Sequence, residues 1–179
     1  MRNSAGFTLW ELLCTLSIAG ILLGLAVPSL HAFVLDSRRT ADVNGFVLAV
    51  QIARSEAIKR GNAVVLCQSF DGLRCGHSEP GYGSGWLVFA DHDKTRPPQR
   101  SDDEPLIFAY QPTLLGTIAG NRDYFDFRPT QKRSTNGTLV FCDERGAAAA
   151  RAVIVSYTGR PRVATVDPAG KPLVCAHSP

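Results

Sequence analysis

The first third of the chain carries an uninterrupted apolar pattern. Between Glu11 and Asp36 lie 24 consecutive residues without Asp, Glu, Lys or Arg. This run is longer than the roughly 20 residues that an apolar helix needs to cross a bilayer. The short basic segment before it indicates that the amino terminus stays inside. The pattern therefore predicts a transmembrane helix over residues 7–35.

Beyond Leu35 the apolar residues recur at three- and four-residue spacing, which is typical of an amphipathic helix. This apolar stripe consists of Val43, Phe46, Val47, Val50, Ala53, Ala57 and Ile58. The charged residues interpreted as the polar face are Arg38, Arg39, Arg54, Glu56, Lys59 and Arg60. Because Gly61 follows a basic last turn, we expect one helix from about Phe7 to Arg60, with residues 36–60 as its amphipathic half. The expected places for it to bend or melt are Gly20, Gly24 and Pro28.

From Asn62 onward the segments are short, rich in β-branched and aromatic residues, and separated by turn residues. This pattern is typical of strands. The predicted strands are 63–67, 86–90, 106–110, 124–127, 138–141, 153–157 and 162–166. Residues 158–161 form a predicted hairpin turn between the last two. We therefore expect an α+β fold, in which residues 61–179 form about seven antiparallel strands, in one sheet or two, on the amphipathic half-helix.

The formal net charge of +3 is too small to indicate a nucleic-acid-binding protein by itself. Its distribution is uneven, however. Residues 1–60 carry six basic and four acidic groups, residues 61–120 four and seven, and residues 121–179 nine and five. The middle of the chain is therefore acidic and the C-terminal third is basic.

The five cysteines divide between the apolar run and the polar part of the chain. Cys14 lies in the apolar run, where it is most simply a small apolar residue. Cys67, Cys75, Cys142 and Cys175 predict an oxidising compartment and two disulfides, with three connectivities open. A Cys67–Cys75 bond would close a short loop, and a Cys142–Cys175 bond would tie the C-terminal tail to a strand.

The sequence predicts neither a metal site nor a cofactor. The segment 75–77 adds the imidazole of His77 to nearby thiols, but the cysteines are not spaced as paired zinc knuckles. The carboxylates crowded into one later segment are Asp91, Asp93, Asp102, Asp103 and Glu104. Calcium binds such oxygen clusters, yet an EF-hand-like spacing is missing and Arg96 and Arg100 lie among the acids. We interpret residues 93–104 as a solvated charged loop.

Candidate catalytic groups are scattered along the chain. His31 lies beside the apolar helix, His92 in the charged segment and His177 in the tail, and none has an evident nucleophile partner in the sequence. The serines lack the strand-turn-helix context of a nucleophile elbow. We therefore predict a protein that is not an enzyme.

The residues at the start of the apolar helix resemble a known signal. A short basic leader, 1–6, precedes Phe7-Thr8-Leu9-Trp10-Glu11, which is similar to the class III signal of type IV prepilins and type II secretion pseudopilins. The resemblance implies that prepilin peptidase cuts between Gly6 and Phe7 and methylates the new amino terminus. It also implies that Glu11 pairs with the terminal amine of a neighbouring subunit. A carboxylate in an apolar helix bundle needs such an opposite charge.

A secretory signal cleaved near Ala26 is the alternative interpretation of this segment. Two features oppose it. The apolar run continues past that site to Leu35, and Glu11 interrupts a region that would be purely apolar in a secretory signal.

Three segments in the rest of the chain narrow the resemblance. They are Ala53–Ala57, Gly85–Asp91 and Gly159–Val163. With them, the chain resembles the GspH/FimT-type minor pilins and pseudopilins over nearly its whole length; the charged segment 93–104 is a departure. The resemblance implies a type IV pilin-like fold, a single-pass helix in the bacterial inner membrane, a periplasmic domain at 61–179, and other major and minor pilins as partners in a fibre.

The Gly-Arg-x-Arg motif at 159–162 resembles that of FimT-like minor pilins, which bind DNA during natural transformation. The resemblance would assign Gly159, Arg160 and Arg162 to double-stranded DNA, and guanidinium groups on a turn suit phosphate contacts. A basic hairpin also suits solvent or an acidic neighbouring pilin. The alternative machine is a type II secretion system, with this chain as its H-type pseudopilin.

We expect the mature protein to begin with N-methylated Phe7, because the peptidase of this signal class cuts after the glycine. Mass spectrometry of the intact protein from its native membrane measures this directly. A mature chain that begins near Val27 would instead identify a cleaved secretory signal.

Overall fold

The computed structural model describes residues 6, 8–76, 81–129 and 134–176. The chain divides into two compact units, Met1–Ser37 and Arg38–Pro179. Helix α1, Leu9–Arg60, contributes to both. By length and composition alone this helix is apolar enough to cross a membrane.

Helix α1 starts at a polar cap. The backbone N–H of Glu11 donates to Oγ1 of Thr8 at 3.3 Å, which satisfies a donor that the first turn of a helix leaves open. Phe7, the predicted first residue of the mature chain and of the helix, lies outside the described residues.

Helix α1 is continuous through Pro28, Gly20 and Gly24. The expectation that it melts there is wrong. A proline removes one backbone hydrogen bond, and a glycine costs about 1 kcal/mol relative to alanine. The hydrogen-bonded turns of helix α1 on both sides of these residues outweigh the local losses of helix stability.

Within the described residues, eight strands form two four-stranded antiparallel sheets. The strands are β1 Val64–Gln68, β2 Trp86–Ala90, β3 Leu106–Tyr110, β4 Gly116–Gly120, β5 Tyr124–Phe127, β6 Gly137–Asp143, β7 Arg151–Val155 and β8 Pro161–Ala164. Sheet A has the order β3-β2-β1-β5 and sheet B the order β4-β6-β7-β8. A 3-10 turn, Gly81–Ser84, precedes β2. The two-sheet form of the predicted fold is the one observed.

Strand β4 was not among the strands predicted from the sequence. It reads Gly-Thr-Ile-Ala-Gly, with one large apolar side chain and glycine at both ends. Those glycines are required by close packing: a Cβ atom at Gly116 would lie 2.0 Å from the carbonyl oxygen of Cys142. Backbone pairing with β6, rather than strand propensity, therefore makes this segment a strand.

The main core is centred on Phe46, which is fully buried on α1. Its ring makes edge-to-face contacts with Tyr82, Trp86, Phe125 and Phe141, at centroid distances of 5.8, 5.5, 5.8 and 6.3 Å. Because Trp86 and Phe125 belong to sheet A and Phe141 to sheet B, this one side chain joins the helix to both sheets. Each such aromatic pair adds about 0.5–1.5 kcal/mol beyond its buried area.

A buried carboxylate provides the second attachment of α1. Asp42 accepts hydrogen bonds from the hydroxyl of Tyr110 at 2.9 Å and from the backbone N–H groups of Thr113 and Leu114 at 3.0 and 2.6 Å. Burial, together with the hydrogen bond to Asp42, raises the pKa of Tyr110 to about 12. The segment after β3 is thereby fixed against the helix.

Arg39, assigned from the sequence to the polar face of the helix, is also buried. Its guanidinium contacts Asp143 at 3.5 Å and donates to the carbonyl oxygen of Ala149. The prediction failed because Asp143 comes from β6, and the periodicity of one helix carries no information about a partner so distant in the chain. A hydrogen bond from Arg145 lowers the pKa of the Asp143 carboxyl and keeps the acid ionised.

The two predicted disulfides form, and of the three connectivities left open the structure has Cys67–Cys75 and Cys142–Cys175. Cys67–Cys75 closes a short loop, and with Val65, Leu87 and Phe89 it makes a second apolar cluster. Cys142–Cys175 ties the tail to β6, where Leu173 is buried in a third cluster. The two disulfides thus hold the short loop and the C-terminal tail against two smaller apolar clusters.

Replacing Phe46 with alanine should lower the free energy of unfolding by about 3–5 kcal/mol, because it removes a ring from a closed core and leaves a cavity. Chemical denaturation followed by tryptophan fluorescence measures the change. Leu48→Ala is the matched control, since Leu48 lies on the same helix and is 47% exposed. Equal effects of the two substitutions would contradict the central position of Phe46.

Candidate nucleic-acid interface

The predicted motif lies in a tightly hydrogen-bonded connection between β7 and β8. The backbone N–H of Ser156 donates to the carbonyl of Arg160 at 3.0 Å, and that of Gly159 donates to the carbonyl of Ser156 at 2.8 Å. The N–H of Arg160 donates to Oγ of Ser156 at 3.2 Å. The turn that holds the motif therefore has a fixed backbone.

Gly159 is required by this turn for two reasons. Its φ is 70°, in the left-handed region, where residues with a Cβ atom are strained. A Cβ atom there would also lie 3.1 Å from Cδ1 of Phe127. The glycine of the motif therefore allows both the backbone conformation of the turn and its close packing on Phe127.

Arg160 and Arg162 are both exposed. Within the described residues, neither guanidinium takes part in an ion pair or a hydrogen bond. Arg162 stands opposite Ile154 in the β7–β8 register. One cationic group thus lies on the turn and the other in β8, and neither has an acidic partner among the described residues, an arrangement suited to anions such as phosphate.

Arg160 also borders a groove of about 420 Å³ between the turn and helix α1. The lining residues are Gln51, Arg54, Ser55, Ile58, Gly159, Arg160 and Pro161. Ile58, predicted to pack in the core with the apolar stripe, is 50% exposed here, because it follows the fully buried Ala57 by one residue and so lies about 100° around the helix from it. Arg54, which belongs to one of the family-like segments and was predicted to lie on the polar face of the helix, is one of these lining residues.

A second cationic cavity, of about 460 Å³, involves residues beside Phe127. Its charged lining residues are Lys94, Arg96, Asp126 and Arg128. Arg128 donates to Oδ2 of Asp126 at 2.9 Å and Arg96 donates to the same atom at 3.2 Å, so these two arginines are already neutralised in part. Lys132 and Arg133, which the sequence placed among the basic residues of this third, lie outside the described residues.

Comparison with known proteins identifies the family. Residues 42–159 match the family described as "Type II transport protein GspH", and residues 1–27 match the prokaryotic N-terminal methylation motif. The pilin-like protein PilA1 of Thermus thermophilus is 33% identical over 178 residues, covering 88% of this chain and 97% of that protein. This chain belongs to the GspH family. It is a member of the minor type IV pilins and pseudopilins.

The fold of this GspH-family chain matches solved minor pilins. Two crystal structures of the type IV minor pilin FimU of Pseudomonas aeruginosa have TM-scores of 0.54 and 0.52 and cover 77% and 82% of the chain. The match spans 99% and 98% of those structures. At 16% identity it establishes the shared fold alone.

The methylation motif implies processing by prepilin peptidase and association with other pilins. These families consist of structural pilins rather than enzymes. Gly6 is exposed and has no atom within 4 Å of the position that a Cβ would take, while Glu11 lies in the exposed first turn of α1. The roles assigned to Gly6, Phe7 and Glu11 remain predictions.

Most of residues 93–104 are exposed, as predicted for a solvated charged loop, but the last residue of the segment is buried. Glu104 is 1% exposed and accepts hydrogen bonds from the backbone N–H groups of His92 at 2.6 Å and Ser101 at 3.1 Å. Asp91 is equally buried and pairs with Arg96 at 2.8 Å. The composition of the segment predicted exposure for all of its acids, because composition does not show which carboxylates are buried by hydrogen bonds within the loop.

Oxygen atoms of Asp91, Asp93 and Glu104 lie within 4.8 Å of one another. Each of the three carboxylates accepts a hydrogen bond within the loop. Glu104 accepts from the backbone N–H of His92, Asp91 from Arg96, and Asp93 from the backbone N–H of Thr95. Burial opposes the charge of Arg96, but the hydrogen bonds and charges of Asp91 and Asp126 raise its pKa. The close approach of these three carboxylates is therefore explained by the hydrogen bonds that hold the loop together.

Gly159→Ala should destabilise the domain more than Gly146→Ala does. Both glycines have φ near 70°, which costs a residue with a Cβ about 1–2 kcal/mol. Only Gly159 adds a tight contact, since a Cβ at Gly146 meets nothing within 4 Å. Urea denaturation of the two variants measures the difference, and equal losses would show that the contact with Phe127 is without effect.

Proposed function

We propose that this chain is a minor type IV pilin that enters a fibre at low copy, helps to start its assembly, and binds double-stranded DNA for uptake in natural transformation. It spans the bacterial inner membrane once, with residues 61–179 in the periplasm, before it enters the fibre. Prepilin peptidase processes it between Gly6 and Phe7, and Glu11 pairs with the amino terminus of a neighbouring subunit.

The observation that carries the DNA-binding proposal is the turn at Ser156–Arg160. A fixed backbone presents Arg160 and, one residue into β8, Arg162, both exposed and without acidic partners in the part of the chain that the structure describes. Guanidinium groups bind phosphate oxygens bidentately. An aromatic side chain is absent from Thr158–Arg162, so the expected contacts are to the DNA backbone and independent of sequence.

The proposed role of Glu11 follows from its surroundings in the chain. It is an acidic residue in the first turn of a helix whose next 24 residues are uncharged. The pairing of its carboxylate with a terminal amine satisfies the energetic requirement for a partner in an apolar bundle.

A second candidate is the H-type pseudopilin of a type II secretion system. The family description "Type II transport protein GspH" favours it. The two candidates share fold and processing and differ in the machine. Deletion of the chain in its own organism separates them: loss of DNA uptake identifies the pilus role, and loss of protein secretion identifies the pseudopilin role.

Replacing both Arg160 and Arg162 with alanine should abolish most binding to duplex DNA by the full chain in detergent. Fluorescence anisotropy of a labelled duplex measures the affinity. For the unmodified chain we expect a log-log salt slope of about −2 to −4, if two to four phosphates are contacted.

The matched control for this double variant is Arg74→Ala with Lys171→Ala. It removes the same charge from exposed positions, one on the Cys67–Cys75 loop and one in the C-terminal tail. If both double variants bind DNA equally well, the assignment of the turn is wrong. If the unmodified chain does not bind DNA, the DNA-binding function itself is wrong.

A further inference from the structure

We propose that Arg54 of helix α1 is a second phosphate-binding residue and that it forms, with Arg160, a two-arginine clamp on the DNA backbone. This inference rests on the proposed DNA-binding function. It extends the interface from a single turn to two elements that are far apart in the sequence.

The geometry brings Arg54 to the turn. The Cδ atom of Arg54 lies 3.4 Å from the position that a Cβ atom of Gly159 would occupy, so the aliphatic stem of the arginine rests against the turn. Arg54 and Arg160 line the same groove. Arg54 as a residue is half-buried, and the contact of its stem with the turn restricts the directions in which its guanidinium can extend.

The charges around this groove lack compensation. Its lining contains two guanidinium groups and no carboxylate, and neither Arg54 nor Arg160 joins an ion pair within the described ranges. Two like charges that converge on one groove repel each other, and a bound anion removes that repulsion.

Three other cations of this helix are paired with carboxylates. Lys59 and Arg60 both pair with Glu56, at 3.5 and 2.6 Å. Arg39 is buried against Asp143. Arg54 therefore differs from these three neighbours on α1 in keeping its charge available for an external partner.

The chemistry of the groove fits a phosphodiester. The two arginines of the groove lining carry planar guanidinium groups, which offer paired N–H donors to phosphate oxygens. Ile58 and Pro161 add apolar surface to the same lining, which suits the sugar that follows each phosphate. Contacts of this kind position the nucleic acid and carry no sequence information.

The test uses Arg54→Gln, which keeps most of the stem that packs on Gly159 and removes the charge. In the full chain in detergent, we expect the affinity for a labelled duplex at low salt to fall by about tenfold, as for loss of a charged hydrogen bond. The salt slope should become shallower by about 0.9, the value for one phosphate. Arg74→Gln is the matched control and should bind DNA as the unmodified chain does.

The outcomes separate this inference from the proposed function. If Arg54→Gln binds like Arg74→Gln while Arg160→Ala binds weakly, the clamp is wrong and DNA binding by the turn stands. If the unmodified chain does not bind DNA, both are wrong. Unchanged thermal unfolding of Arg54→Gln shows that a weaker affinity does not arise from a loss of folding.

A double variant tests whether the two arginines hold one phosphate. With Arg54→Gln and Arg160→Ala combined, a shared phosphate predicts a smaller loss than the product of the two single losses, because the second substitution removes a contact already weakened. Losses that simply multiply would show separate phosphates and would overturn the clamp.

Discussion

The insertion of Phe46 between two sheets is the contact on which the folded domain depends. Its ring touches Trp86 and Phe125 on one side and Phe141 on the other, so the helix and both sheets share one dry core. Without that ring, the apolar faces of both four-stranded sheets would lose a shared packing partner. Asp42 then fixes the segment between β3 and β4, because its buried carboxylate accepts hydrogen bonds from the hydroxyl of Tyr110 and from the backbone N–H groups of Thr113 and Leu114.

The position of the candidate site follows from this core. Helix α1 packs by Ala53 and Ala57, which are fully buried, and its other side then faces the turn between β7 and β8. Phe127 fills the space beneath Gly159. The arginine turn is therefore positioned by packing, while the side chain of Arg160 remains exposed. Residues of helix α1 line the groove beside this turn.

Much of the fold could be predicted because its signals are local. The uncharged run, the helix stop at Gly61, seven of eight strands and the cysteines each have a pattern that a short window of sequence contains. Strand β4 was missed because its residues have weak strand propensity, and pairing with β6 makes it a strand. Buried Glu104 and Arg39 were misassigned because polarity alone does not show which charged groups find internal partners.

The sequence by itself determined the prepilin-like start, the family and the motif at 159–162, since these depend on residue identity at fixed spacing. Only the tertiary structure decided that Arg54, about a hundred positions earlier in the chain, stands against the same turn. It also decided which arginines are neutralised, such as Arg60 and Arg128, and which are not. The physical reason is that the neutralisation of a charged group depends on the opposite charges near it in space. Those charges come from elements that only the packing of the core brings together.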